Sequence, residues 1–172
     1  PLTDGVTEIK DLNIISSIKL QLPKTNYIVG IGSIAGSAYN ATLDNVNVTV
    51  EKMDISTDTE FIGTLSVGGA FGYEDSLIGD AQTVTIQDTI LVQGAPANVS
   101  GKGETMYVGG FAGSGDKTCG NVIYSGGAGI DVGNSCYAKV GGLIGYTSGG
   151  VDFTNVFIRN ATDDVITFQG TG

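Results

Sequence analysis

The sequence predicts an all-β fold, a β-solenoid (parallel β-helix) built from about four glycine-rich repeats, and three observations support this. The phrase Val140-Gly141-Gly142-Leu143-Ile144-Gly145 has counterparts at residues 108–113, 67–72 and 31–36. Short runs that alternate β-branched with polar residues follow each copy, as in half-buried strands. No stretch of useful length has helical spacing. Self-similarity at a period of about 20 to 50 residues is typical of folds in which coils stack and pair their strands.

The chain opens with a region that lacks the phrase. Ile18, Leu20 and Leu22 alternate with polar residues, and Pro23 follows them. Alternation with a period of two predicts a strand that ends at the proline. We therefore interpret residues 1–26 as an N-terminal strand or cap, which a repeat array needs to cover its apolar end.

The copies of the phrase begin 36, 41 and 32 residues apart. Their spacing divides a repeat domain, residues 27–172, into units that start near residues 27, 63, 104 and 137. The first copy differs from the others because Ser33 takes the place of the second glycine.

Further strands are predicted after each copy, where β-branched residues recur between turn-like clusters of Gly, Asn, Asp and Ser. The candidate strands lie near residues 46–50, 83–86, 90–92, 122–124, 130–132, 151–153, 156–158 and 165–168. Eight to ten short strands also fit an antiparallel β-sandwich, which remains the alternative. The repeated glycines favour the solenoid, because a sandwich has no reason to repeat them.

Charge and composition exclude several classes of function. Eight basic and 18 acidic residues give a net charge of −10, which repels phosphate backbones, so nucleic acid is not expected as a partner. Histidine, the commonest general base and transition-metal ligand, is absent. No segment approaches the roughly 18 apolar residues of a membrane span. We predict no enzyme activity, no cofactor and no membrane insertion.

Two features favour an exported protein. Cys119 and Cys136 are the only cysteines, and a disulfide between them would contribute about 3 kcal/mol by closing its loop; two buried thiols are the alternative. Asn-X-Ser/Thr sequons, which chance could also produce, occur at Asn40, Asn47, Asn98 and Asn160. If Val46 and Val48 face the core, Asn47 points outward, where a glycan could be attached.

The best copy of the phrase extends into a longer pattern. Residues 140–146, a glycine-rich turn and then Phe153-Thr154-Asn155-Val156 resemble the GLUG-type repeat, a Gly-Leu-any-Gly phrase followed by an Asn-containing strand. The resemblance covers roughly residues 27–172. Such repeats occur in large bacterial surface proteins, including adhesins and surface-anchored peptidases. The resemblance implies a β-solenoid stalk or adhesive module at the cell surface, since the peptidases' His-Glu-X-X-His helix has no counterpart here.

Other candidate sites are weaker. Residues 126–132 resemble the start of a calcium-binding nonapeptide, but Gly133 stands where a large apolar residue belongs, and such sites need tandem copies. Asp163-Asp164 and the pair Asp75 and Asp80 could act as oxygen ligands or as acid and base. We interpret all of these as turn residues.

The resulting hypothesis is an extracellular structural or adhesive protein at the cell surface, a possible filament subunit that assembles by stacking its solenoid ends. Its expected partners are further copies or neighbouring domains. One alternative is a carbohydrate-binding or carbohydrate-cleaving β-helix, with a glycan as ligand and exposed aromatic side chains. A passive stalk or spacer within a larger surface protein is the other.

Overall fold

A computed structural model of the chain describes the backbone of twelve segments. They are residues 7–38, 41–58, 60–74, 84–86, 90–93, 98–100, 105–115, 118–126, 131–132, 137–147, 152–160 and 167–168. All 17 regular elements in these segments are β-strands. The prediction of an all-β fold is confirmed.

The strands form three sheets, which we call sheets A, B and C. Sheet A contains β1 (Thr7–Leu22), β4 (Ala41–Thr57), β7 (Val84–Ile86), β8 (Ile90–Gln93), β9 (Asn98–Ser100), β12 (Thr118–Gly126), β13 (Asp131–Val132), β16 (Asp152–Asn160) and β17 (Thr167–Phe168). Sheet B contains β2 (Ile28–Ile31), β5 (Thr64–Gly68), β10 (Thr105–Gly109) and β14 (Ala138–Gly141). Sheet C contains β3 (Ala35–Ala38), β6 (Phe71–Glu74), β11 (Ala112–Gly115) and β15 (Ile144–Tyr146).

The register places the four copies of the phrase side by side. Val67 lies opposite Ile31 and Val108, and Val108 lies opposite Val140. Each repeat therefore adds one strand to sheet B, one to sheet C and its remaining strands to sheet A. Every pair among the described strands is parallel. The antiparallel pairs that define a β-sandwich do not occur in that part of the chain.

The two long strands of sheet A bend together. Asp11 and Asn45 occupy the same step of the β1–β4 pair and have φ values of 49° and 52°, a left-handed conformation that Asp and Asn tolerate better than most residues. The Asn45 Nδ2 donates a hydrogen bond to the Asp11 Oδ1 over 2.7 Å. The bend is thus repeated from one strand to the next and held by a side-chain hydrogen bond.

A single core is enclosed by the three sheets. Fully buried side chains come from sheet A (Leu43, Val46, Val48, Met53, Ile55), sheet B (Leu65, Val67, Met106, Val108) and sheet C (Phe71, Ala112). Phe71 and Phe111 meet edge to face, with ring centroids 5.6 Å apart. The alternation of Val46, Val48 and Val50 predicted from the sequence is confirmed, since all three are buried.

The predicted N-terminal strand is also present. β1 ends at Leu22, next to Pro23, and Ile18 and Leu22 pack against the core. Leu20 lies opposite the fully buried Ile55 yet is 42% exposed. β1 is paired only with β4 among the described strands, so its core-facing side chains are covered from one side.

Candidate interaction surfaces

The glycine phrase forms a tight corner between each strand of sheet B and the next strand of sheet C. A Cβ atom added at its first glycine (Gly32, Gly68, Gly109 or Gly141) would lie within 3.0 Å of the carbonyl oxygen three residues later in every copy. The two strands thus touch backbone to backbone, and only glycine permits this approach.

The last glycine of the phrase has a different contact. A Cβ at Gly72, Gly113 or Gly145 would come within 3.0 Å of the backbone nitrogen that begins the phrase in the preceding repeat. These glycines allow consecutive repeats to pack closely. The phrase therefore recurs for steric reasons at both of its ends.

Hydrogen bonds between corners all run in one direction along the stack. The N–H of Ser33 donates to the Gly69 carbonyl over 3.2 Å, Gly69 to Gly110 over 3.0 Å, and Gly110 to Gly142 over 3.2 Å. The adjacent residues of each corner repeat the pattern from Ile34 to Leu143. The stack of corners consequently has a polarity, with carbonyl groups directed toward the first repeat and N–H groups toward the last.

We call the edges of β1, β2 and β3 the head end, and those of β14, β15, β16 and β17 the tail end. At the head, the corner carbonyls of Ser33 and Ile34 accept no hydrogen bond from a described residue. At the tail, the corner N–H groups of Gly142 and Leu143 likewise have no acceptor within the described segments. The two ends present opposite hydrogen-bonding groups.

Core positions are incompletely covered at both ends. At the head, Leu12 is 40% exposed, whereas its partner Val46 in β4 is buried. At the tail, Val140 and Ile144 are half-buried, although their partners in the third repeat are fully buried. Both ends therefore combine strand edges that no described strand pairs with apolar side chains that are only partly covered.

The serine that interrupts the first copy of the phrase has a partner. The Ser33 hydroxyl lies 2.6 Å from that of Ser16, which is buried in β1. Ser16 lies opposite the buried Val50, so a polar residue of the N-terminal strand at an otherwise apolar position meets the serine that interrupts the first copy of the phrase. One hydroxyl donates and the other accepts, so each serine has a hydrogen-bond partner.

A cluster of three tyrosines and a lysine lies toward the tail, where sheets B and C face each other. Tyr107 and Tyr146 stack with centroids 4.6 Å apart and planes 20° apart. The Lys139 Nζ lies 3.7 Å from the Tyr146 centroid and 5.7 Å from that of Tyr107. Burial raises the pKa of the Tyr107 hydroxyl, and the nearby Tyr146 and Tyr137 add to this effect. We call these four residues the tyrosine–lysine cluster.

Only one predicted sequon is fully described. Asn47 points away from the core as predicted, between the buried Val46 and Val48. Its Nδ2, the nitrogen to which a glycan would be attached, donates a 3.0 Å hydrogen bond to the Asn13 Oδ1. A glycan on Asn47 would leave this nitrogen a single N–H with which to make the contact.

The other predicted site residues are described only in part. Asn98 begins β9, Asn160 ends β16 and Cys119 lies in β12, while Asp131 and Val132 of the nonapeptide-like segment form β13. Outside the described residues lie Asn40, Cys136, Gly133, Asp75, Asp80, Asp163 and Asp164. Glycosylation, the disulfide and the carboxylate and calcium hypotheses remain predictions.

Sequence reasoning missed the bend at Asp11 and Asn45 and the tyrosine–lysine cluster. The 34-residue interval between Asp11 and Asn45 recurs between Asn121 and Asn155 and could have indicated the bend. Tyr107 and Lys139 are 32 residues apart, the interval that separates the last two copies of the phrase. That interval could have placed them opposite each other, as the register does.

Comparisons with protein-family models, curated proteins and solved structures find no match. Within the described segments, no three His, Cys, Asp or Glu side chains are grouped closely enough to hold a metal ion. No helix in those segments is long and apolar enough to cross a membrane.

Proposed function

We propose that the chain is a β-solenoid that serves as an extracellular structural or adhesive module and associates end to end with further copies of itself. The observation that carries the proposal is the head end, where Leu12 and Leu20 face the core yet remain about 40% exposed. Since their partners in β4 are buried, these are core positions that another strand would cover.

The parallel register supports the solenoid assignment. Each repeat of 32 to 41 residues passes once through sheets B, C and A before the next repeat begins. The first residues of the phrase follow one another without offset. One coil per repeat is the simplest path that satisfies these pairings.

End-to-end association follows from the chemistry of the two ends. An unpaired strand edge is a template for another strand, and β1 has 16 residues along an edge that no other described strand pairs. β1 projects one strand beyond β2 and β3, so two copies would meet first in sheet A, with β1 of one copy beside β16 of another. Contacts between unlike ends generate a fibre when the rotation from one copy to the next does not close into a ring.

Placement outside the cell rests on the four sequons and the pair of cysteines. A structural role agrees with a sequence that repeats steric features of the backbone rather than a set of reactive side chains. The module would then provide length, stiffness and self-complementary ends.

Electron microscopy and sedimentation of the purified protein test the proposal, with three variants of β1. Leu12→Lys and Leu20→Lys place a charge on the core-facing side of the free edge and should abolish fibres. Ile15→Lys is the matched control, because Ile15 is 72% exposed on the opposite side of the same strand, and it should leave fibres intact.

A protein that stays monomeric at every concentration would refute self-association and favour the passive spacer. Fibres that persist in Leu20→Lys would show that the head end is not the contact.

A further inference from the structure

Apart from its unpaired strand edges, the described part of the chain carries one concentration of aromatic and cationic groups. Tyr107 and Lys139 are direct neighbours in sheet B, and Tyr146 reaches them from sheet C. Tyr137 precedes β14 by one residue and is 62% exposed; because it is two residues from Lys139, it lies on the same side of sheet B. The four side chains therefore share one partly exposed surface.

The Lys139 ammonium is held in place but keeps its charge available. Its position over the Tyr146 ring is a cation–π contact, which orients the side chain without using its hydrogen-bond donors. The four ion pairs among the described residues engage Lys10, Lys24 and Lys52, not Lys139. An anionic group could thus bind Lys139 without displacing a carboxylate of those segments.

Charge limits what such a site can accept. The chain has a net charge of −10, so a polyanion is repelled over a distance of about 10 Å, the screening length near physiological ionic strength. A single carboxylate would experience mainly the nearby ammonium. Stacked aromatic rings offer flat apolar area to the C–H face of a sugar ring, as aromatic side chains do in ligand sites generally.

We propose that the tyrosine–lysine cluster is a binding site for a pyranose that carries one carboxylate on an otherwise uncharged glycan. Lys139 would hold the carboxylate, while Tyr107, Tyr146 and Tyr137 would contact the ring. The site uses side chains rather than strand edges, although Lys139 and Tyr146 belong to the tail strands β14 and β15, so its test must be separated from end-to-end association. A shallow surface of this size should bind with a dissociation constant of about 1 mM.

Nuclear magnetic resonance titration tests the site with sialyllactose, lactose and polygalacturonate as probes. Sialyllactose should shift signals of the cluster, whereas lactose, which lacks the acidic sugar, should bind at least about threefold more weakly. Polygalacturonate should bind weakly despite its many carboxylates. The same titration in Leu20→Lys keeps the result separate from self-association, because that variant leaves the cluster intact.

Lys139→Gln should weaken sialyllactose binding about three- to fivefold, the upper part of the range for an exposed ion pair. Lys19→Gln, an exposed lysine of β1, is the matched control and should change nothing. Tyr137→Ala should weaken binding without lowering the melting temperature. Equal binding of lactose and sialyllactose, equal effects of the two lysine variants, or no shifts at about 10 mM sialyllactose would each overturn the proposal.

Discussion

The corner glycines give the sharpest test of the fold, and Gly109→Ala is the most informative substitution. The added Cβ would meet the carbonyl oxygen of Ala112, the carbonyl oxygen of Leu143 at 2.7 Å and the backbone nitrogen of Gly145 at 2.8 Å. All three atoms belong to the backbone, so no side-chain rotation relieves the contact. The strands of sheets B and C must move apart.

The loss of unfolding free energy in Gly109→Ala has two sources, overpacking and weakened hydrogen bonds. Forcing extra atoms into a well-packed region costs about 1–3 kcal/mol, and each weakened corner hydrogen bond adds about 1 kcal/mol. The Gly110 and Phe111 N–H bonds to the last repeat, at 3.2 and 2.9 Å, are the nearest ones at risk. We expect Gly109→Ala to lose at least about 3 kcal/mol of unfolding free energy.

Gly142→Ala provides the control within the same phrase. No atom lies within 4 Å of a Cβ built at Gly142, and Ser33 already occupies the equivalent position in the first repeat. Without a clash, alanine restricts the unfolded chain and should stabilise the protein by about 0.4–1 kcal/mol.

Thermal unfolding followed by circular dichroism separates the two variants. For a chain of this length, 1 kcal/mol corresponds to about 2–4 °C, so the melting temperatures should differ by roughly 7 °C or more. Equal melting temperatures for Gly109→Ala and Gly142→Ala would refute the backbone-to-backbone corner.

Three further substitutions test other parts of the structure. Tyr73→Phe removes a buried hydroxyl that has no hydrogen-bond partner among the described residues and should stabilise the protein by about 1 kcal/mol in urea unfolding. Burial raises the pKa of the Tyr73 hydroxyl, so above about pH 10 the unfolded state ionises before the folded state and the protein loses stability as pH rises. Tyr73→Phe removes this loss, so its alkaline unfolding should begin at higher pH, and an unchanged midpoint would count against burial of the hydroxyl. Ser16→Ala leaves the Ser33 hydroxyl without its partner and should cost about 1 kcal/mol in the same urea assay, with little further loss when Ser33→Ala is added; additive losses would contradict the pairing. Val108→Asp should prevent folding because Val108 is fully buried, whereas Val140→Asp at the half-buried tail position should fold with reduced stability. Circular dichroism distinguishes the two variants. Equal loss of folded structure in both would mean that the tail end is covered.

The sequence alone predicted which residues would lie side by side in sheets B and C, because the glycine phrase is fixed by backbone contacts. It could not predict the length of β4. Two pairs of successive polar residues, Asp44-Asn45 and Glu51-Lys52, break the alternation on which the strand prediction depends. The structure explains both interruptions: Asn45 bends the strand with a positive φ, and Glu51 is the extra residue where the register shifts opposite Ser16 and Ser17.

The longest interval between copies of the phrase illustrates another limit of prediction from the sequence. In sheet C, Glu74 follows its partner Ala38 by 36 residues, whereas in sheet A Val84 follows its partner Ala41 by 43. The difference of 43 − 36 = 7 residues places the insertion between β6 and β7. Spacing between phrases reveals that an insertion exists, but only pairing in two sheets locates it.

A comparison of equivalent positions in the four repeats indicates where function can reside on this fold. In sheet B, the core-facing position of each repeat is held by Ile31, Val67, Val108 and Val140. The preceding position, on the other side of the sheet, is Gly30, Ser66, Tyr107 and Lys139 in the same order.

The core-facing position is constrained because every repeat must bury an apolar side chain against sheet A. The preceding position has no such constraint, and its residues adapt to the facing strand of sheet C. Two Tyr73 ring atoms lie 2.7 Å from where a Cβ of Gly30 would be, and Ser66 donates a 2.7 Å hydrogen bond to the Gly72 carbonyl. Toward the tail the same position brings Tyr107 and Lys139 to Tyr146. Chemistry specific to this chain is therefore expected at positions where the repeats differ, and the tyrosine–lysine cluster is the first of these to test.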